Sequence, residues 1–235
     1  MTAFTPTPNQ LQRSTRSIAI LDAKRIPRFK GPLYTDDDAE VALRTSPDTA
    51  RRALVLWAVA LRADGMPKSE AFDMLDRHRI WPYASPSESR YVRERNPDPA
   101  ESASLVWRLE ALWVLLWALG RIDDLGWPAS MCDVRRLTGI MKPLEADAAF
   151  LESAQLRPKR DVLDAQDLTM RLHWAIRDAW LHKRPIRSDL DWSAGRPDVA
   201  VTESPAVGVI EQRHHTLNWL TRFGDADWDE VDTPT

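Results

Sequence analysis

Two stretches set ionisable side chains among the bulkiest apolar ones. "RLHWAIRDAW" (171–180) carries Arg171, His173, Arg177 and Asp178; "EQRHHTLNWL" (211–220) carries Glu211, Arg213, His214 and Asn218. Histidine titrates near neutrality, so His173 and His214 with Asp178 are candidates for general acid–base work on a small polar substrate. Guanidinium groups match carboxylate and phosphate geometry, so Arg171, Arg177 or Arg213 could hold a small anion. Glu211 and His214 form one Glu-x-x-His, the spacing used in di-iron bundles. Such a site needs two copies and two further glutamates, and no other histidine has a glutamate three residues before it. His-Glu-x-x-His and paired Cys-x-x-Cys are absent, so no metal and no other cofactor is expected. The single cysteine, Cys132, reads as a small buried hydrophobe rather than a nucleophile. There is no Gly-x-Ser-x-Gly elbow and no phosphate-cradling glycine loop.

The elements that must position these residues are helices. Pro47, Pro99 and Pro205 each follow a residue able to cap, Ser46, Asp98 and Ser204, and Gly65, Gly120 and Gly224 close the same segments. These signals predict helices near 47–64, 99–119 and 205–223. Apolar spacing adds 10–24, 69–80, 128–141, 144–155 and a long helix over 164–183 stopped by Pro185. The stretch 197–203 is the one weak strand candidate.

Within 99–119, the run "LVWRLEALWVLLWAL" is apolar on every side except at Arg108 and Glu110, as in a buried helix. At about 1.5 Å per residue the segment spans roughly 30 Å, the width of a small domain. Two positions apart, Arg108 and Glu110 cannot pair with each other, and a buried unpaired charge costs several kcal/mol. Each therefore requires a partner on a neighbouring helix or access to water. The mixed faces of 164–183 and 205–223 are expected to converge on one of them.

Composition sets the frame. The 235 residues are 43% hydrophobic, enough to bury a core without disulfides, and one cysteine fits a reducing compartment. The net charge of −3, from 32 basic and 35 acidic residues, argues against nucleic acid or an anionic membrane as partner. The opening "MTAFTPTPNQ" lacks the apolar core of a signal peptide, and the longest apolar run, "ALWVLLWALG", is about half a membrane span. The expectation is a cytoplasmic protein. Residues 1–9 would form a flexible segment and 10–235 one all-α domain, a multi-helix bundle around a central buried tryptophan-rich helix. Around Trp228 the stretch "DADWDEVDTPT" is acidic; the tryptophan is expected to dock on the body with its charges solvated.

Several segments, taken in order, resemble one family: "RSIAIL…RIP" (16–27), "LRTSPDTARRALVLWAVALRADG" (43–65), "WRLEALWVLLWALG" (107–120), "LRPKRDVLDAQDLTMRLHWAIRDAW" (156–180), "EQRHHTLNWL" (211–220) and "WDEVDTPT" (228–235). It is the domain of unknown function 4272, found mainly in bacteria. The resemblance implies an all-helical fold and no particular activity. Its recurring polar positions would fall on Arg108, Glu110, Arg171, His173, Asp178, His214 and Asn218. This chain departs from the pattern at Arg25, where a glycine commonly precedes Ile-Pro, and at Gln212, inserted in what is usually Glu-Arg-His. The stretch 186–204 is longer than usual. The combined reading is a non-catalytic binding protein for a protein partner or a small anionic ligand. The alternative is an enzyme using the His/Asp/Arg cluster.

Overall fold

The computed structural model describes residues 5–147 and 149–235, and the chain is mostly helical. In order come α1 (Pro8–Ala23), α2 (Ser46–Ala63), α3 (Lys68–Arg77), α4 (Pro86–Arg93), α5 (Pro99–Val106), α6 (Arg108–Ala118), α7 (Val134–Ala146), α8 (Phe150–Ser153), α9 (Lys159–Leu181) and α10 (Pro205–Leu220). Of the expected flexible segment 1–9, residues 1–4 lie outside the described ones, and α1 already starts at Pro8. Thr7 caps it in a reciprocal box with Gln10.

The proline and glycine signals translate well, with informative exceptions. Gly65 and Gly120 take positive φ just past α2 and α6, but α10 ends at Leu220, short of the expected 223, and the positive-φ residue after its cap is Arg222, with Gly224 in a separate 3-10 turn. Asp98 caps α5 through the Ala100 amide at 3.0 Å. Thr45, not Ser46, caps α2, leaving the Ser46 hydroxyl to accept from the Leu156 amide. Ser204 holds the cap position of α10 without a side-chain cap bond. The segment 99–119 divides at Trp107, whose ring lies against Gly208 of α10 so closely that a Cβ there would come within 2.8 Å of it. The expected helix over 144–155 is instead the end of α7 and the single turn α8, with residue 148 outside the described ones. The weak strand candidate supplies β2 (Asp198–Val199), paired antiparallel with β1 (Ile186–Arg187) in the register Ile186 to Val199 and Arg187 to Asp198. Helix α4 was not expected from the sequence: it has only 8 residues, and its start is marked by the capping box of Ser85 and Glu88.

Every residue of α6 except Arg108 is buried, and α6 packs on α2 and α10. Arg157 satisfies the carbonyls at its end, donating to Trp117 at 2.6 Å and to Ile122 at 2.6 Å. A second apolar cluster joins Leu21 and Ile26, Leu172 and Ile176 of α9, Ile186, Leu190, and Ile210 of α10. Of the residues singled out in 171–180 and 211–220, His173, His214 and Asn218 lie where α9 and α10 pack together. Among the described residues no helix is long and apolar enough to cross a membrane.

Candidate functional site

Glu110 is fully buried, and its partner is Arg213 of α10. Nε of Arg213 donates to Oε1 of Glu110 at 2.7 Å, Nη1 to the Gly126 carbonyl at 2.7 Å, and Nη2 to the Leu125 carbonyl at 2.9 Å. The other carboxylate oxygen accepts from the Cys132 amide at 2.8 Å. Both ends of the 125–132 loop are thus tied to one ion pair. Charge, donors and acceptors are matched, as burying an ion pair demands. Burial and the neighbouring Glu110 push the Cys132 thiol up, which keeps it protonated and unreactive.

One residue further on, His214 meets His173 of α9, Nδ1 to Nδ1 at 2.9 Å with the rings nearly perpendicular. Two helical stripes lie behind this contact. Gln166, Met170 and His173 recur at i, i+4, i+7 on α9, and His214, Asn218 and Thr221 do so on α10 or just past its end. The stripes meet antiparallel: His173 touches His214, and Gln166 Nε2 donates to Asn218 Oδ1 and Thr221 Oγ1, each at 2.9 Å. Asn218 Nδ2 in turn donates to the Asp232 carbonyl at 2.9 Å. That last bond fixes both amides, because a carbonyl can only accept. Asn218 must turn its oxygen to Gln166, and Gln166 must turn its NH2 to Asn218. Gln166 Oε1 is left buried without a partner among the described residues.

A cavity of about 280 Å³ adjoins this network, lined by Gln166, Met170, His214 and Asn218, by the 33–36 loop, and by Phe223 and residues 234–235. Burial lowers the pKa of His173 to about 4, with the Arg177 charge adding to the effect; it lowers that of His214 to about 3, with His173 adding to it. Both rings are therefore neutral at pH 7. They share one proton along the Nδ1–Nδ1 line: whichever ring donates there carries its lone pair at Nε2, and the other carries Nε2–H. His214 can present either face to an occupant while His173 takes the complementary tautomer.

The family model described as domain of unknown function (DUF4272) matches residues 13–231. The chain belongs to that family. No curated protein and no solved structure matches it.

The remaining candidates of this DUF4272 chain disperse. Arg171 faces α1: it pairs with Asp167 (Nε to Oδ2, 2.7 Å) and donates to Ser14 Oγ and the Leu33 carbonyl at 3.0 and 2.6 Å. It does not approach Glu110; the convergence foreseen for the two mixed faces occurs through Arg213 of α10 alone. The reason is rotation, since Arg171 and His173 sit on different sides of α9 and only His173 faces α10. Asp178 is not beside the histidine pair. It binds Arg184 and lies 3.2 Å from His182 at the end of α9. Arg177 and Glu211 are neighbours on the surface, where partial desolvation of the Glu211 carboxyl raises its pKa and the Arg177 charge opposes the rise. Arg108 is half-buried, donates to Gln212 Oε1 at 3.2 Å, and stacks on Trp228 at 5.4 Å. Trp228 docks as expected, but its neighbour Asp229 is not simply solvated; it accepts from the Ser87 amide and hydroxyl at 2.9 and 2.7 Å. Among the described residues no three His, Cys, Asp or Glu side chains gather to hold a metal ion.

Gln166, Met170 and the 33–36 loop were missed by the sequence reading. The signal for the first two was present, as the i, i+4, i+7 stripe ending at His173. The loop had none.

Proposed function

We propose that this chain is a single-domain, cytoplasmic, non-catalytic binding protein built around α6, and that the cavity beside His214 takes a small, neutral or cationic polar molecule. The observation that carries the reading is the neutral His214 at the cavity wall, hydrogen-bonded to His173. It offers a donor or an acceptor on demand, next to the unpartnered Gln166 acceptor, with Met170, Leu33 and Phe223 as apolar surroundings. At about 280 Å³ the space falls just under the roughly 300 Å³ at which drug-sized sites begin, so the occupant is small.

Two points separate this from the neighbouring readings. A general base works best with a pKa near the operating pH, and burial takes these imidazoles far below it; Asp178, the expected carboxylate, is elsewhere. For an anionic ligand, Arg171 and Arg213 would have to supply donors, and both spend theirs inside the protein, while Asp36 stands at the cavity. A protein partner is the second reading, favoured by Trp180 (54% exposed) and Leu181 (64% exposed) side by side at the end of α9.

The test is a titration with 2-pyrrolidone, which has one N–H donor and one carbonyl, followed through the imidazole nitrogen resonances of His214. The Nε2 signal should move on addition, and Leu33→Trp, which fills the cavity, should remove the response. A silent His214, or an undiminished response in the filled variant, defeats the reading.

A further inference from the structure

A second cavity, of about 380 Å³, lies between the start of α2, the 82–86 segment and residues 219–228. Its walls are two guanidinium groups laid on two indoles. Arg44 stacks on Trp219 at 4.6 Å and Arg52 on Trp228 at 3.9 Å, the two indoles meet edge-on with centroids 5.4 Å apart, and Tyr83 adds a third ring.

The side chains of these walls set two guanidinium and two indole donors against the carboxylates Asp48 and Asp227. Arg44 uses Nε on the Trp219 carbonyl at 2.9 Å and Nη2 on the Ala226 carbonyl at 2.7 Å, which leaves Nη1 for an occupant. No carboxylate among the described residues comes within ion-pair distance of this half-buried cation. Burial first and then the adjacent Arg222 depress its pKa, while Asp227, Asp225 and Asp48 act against the fall. Arg52 and Trp228 are both more than nine-tenths buried, and Arg52 Nε and Trp228 Nε1 have no acceptor among the described residues. Indole N–H and guanidinium N–H groups only donate. Of the two carboxylates at the cavity, Asp48 is taken by Thr45 and Arg51, and Asp227 stands at the rim.

We propose that this cavity binds the carboxylate of a small molecule with a flat apolar body. Arg44 supplies the counter-charge and the hydrogen bonds, and the three rings cover the body. The site shares no lining residue with the His214 cavity, and it stands or falls independently of that reading.

The probe is benzoate, with benzylamine as the charge-reversed match, measured by calorimetric titration of the full chain. Benzoate should bind and benzylamine should not. Arg44→Met should weaken benzoate about tenfold, the size of one charge-assisted contact. Because Arg44 also clamps residues 219 and 226, Asp227→Asn serves as the second variant: removing the rim carboxylate should tighten benzoate about threefold, which a loosened fold cannot do. Leu33→Trp, in the other cavity, should leave benzoate unchanged. Equal binding of both probes, no binding of benzoate to the folded wild type, or weaker binding in Asp227→Asn would each overturn the assignment.

Discussion

Arg213 and His214 are adjacent in the chain and both buried, yet they use that burial in opposite ways. Arg213 keeps its charge, and the fold surrounds it with a carboxylate and two carbonyls while the Cys132 amide completes Glu110. The charge itself is matched and each guanidinium nitrogen donates at least once, because an unpaired buried charge is expensive. His214 has given up its charge, so one contact with His173 suffices, and the rest of the ring borders a cavity. The charged position is a lock and the neutral one has capacity to spare. In a polar core, the residues with unspent hydrogen-bonding capacity are better ligand candidates than the most strongly paired ions.

The contrast can be broken at either position. The largest effect is expected for Glu110→Ala, which strands the Arg213 charge and frees the 125–132 loop: a loss of about 3–5 kcal/mol in denaturant unfolding. Replacing both partners, Glu110→Leu with Arg213→Met, should bring stability back to within about 2 kcal/mol of the parent, since an apolar pair carries no desolvation cost. A double variant no better than the single would mean that the loop contacts, not the charge, dominate.

At the neutral position the expected loss is smaller. His214→Phe removes one hydrogen bond and leaves His173 Nδ1 unpartnered, costing about 1–2 kcal/mol at pH 7. The same variant sharpens the contrast through pH. His173, His214 and His215 all have folded pKa values lowered by burial to about 4, 3 and 4, against about 6.5 unfolded. The unfolded chain therefore binds more protons, and stability is complete above about pH 6.5 and falls as pH drops toward 4. Each histidine contributes up to about 1.4 kcal/mol per pH unit in that window, and His214→Phe should remove one such share from the slope. An unchanged slope would show that His214 is already protonated in the fold. The smallest effect is expected for Arg108→Met: half-buried, with one long hydrogen bond and a stack on Trp228, it should cost no more than about 1 kcal/mol.

Much of this was legible in the chain. Proline placed the starts of α2, α5 and α10 and glycine the ends of α2 and α6, since both act through local backbone geometry. The all-round apolar run predicted that α6 is buried and that Glu110 needs a partner from another helix. His214 and Asn218 were legible only as separate candidates, not as one stripe, and the counterpart from Gln166 to His173 was not legible at all, because glutamine and methionine do not stand out by type. The grouping of Asp178 with the histidines failed because sequence proximity on a helix says nothing about which turn faces a neighbour.

The residue types and their periods by themselves determined the helices, which of their faces are buried, and the requirement that each buried ion be neutralised. Only the tertiary structure decided by whom: Arg213 rather than Arg171 for Glu110, and His173 rather than a carboxylate for His214. The physical reason is that helical period fixes a side chain's direction around its own axis. The rotation and crossing of one helix against another, set by packing along the whole interface, decides which of several equally suitable groups comes within 3 Å.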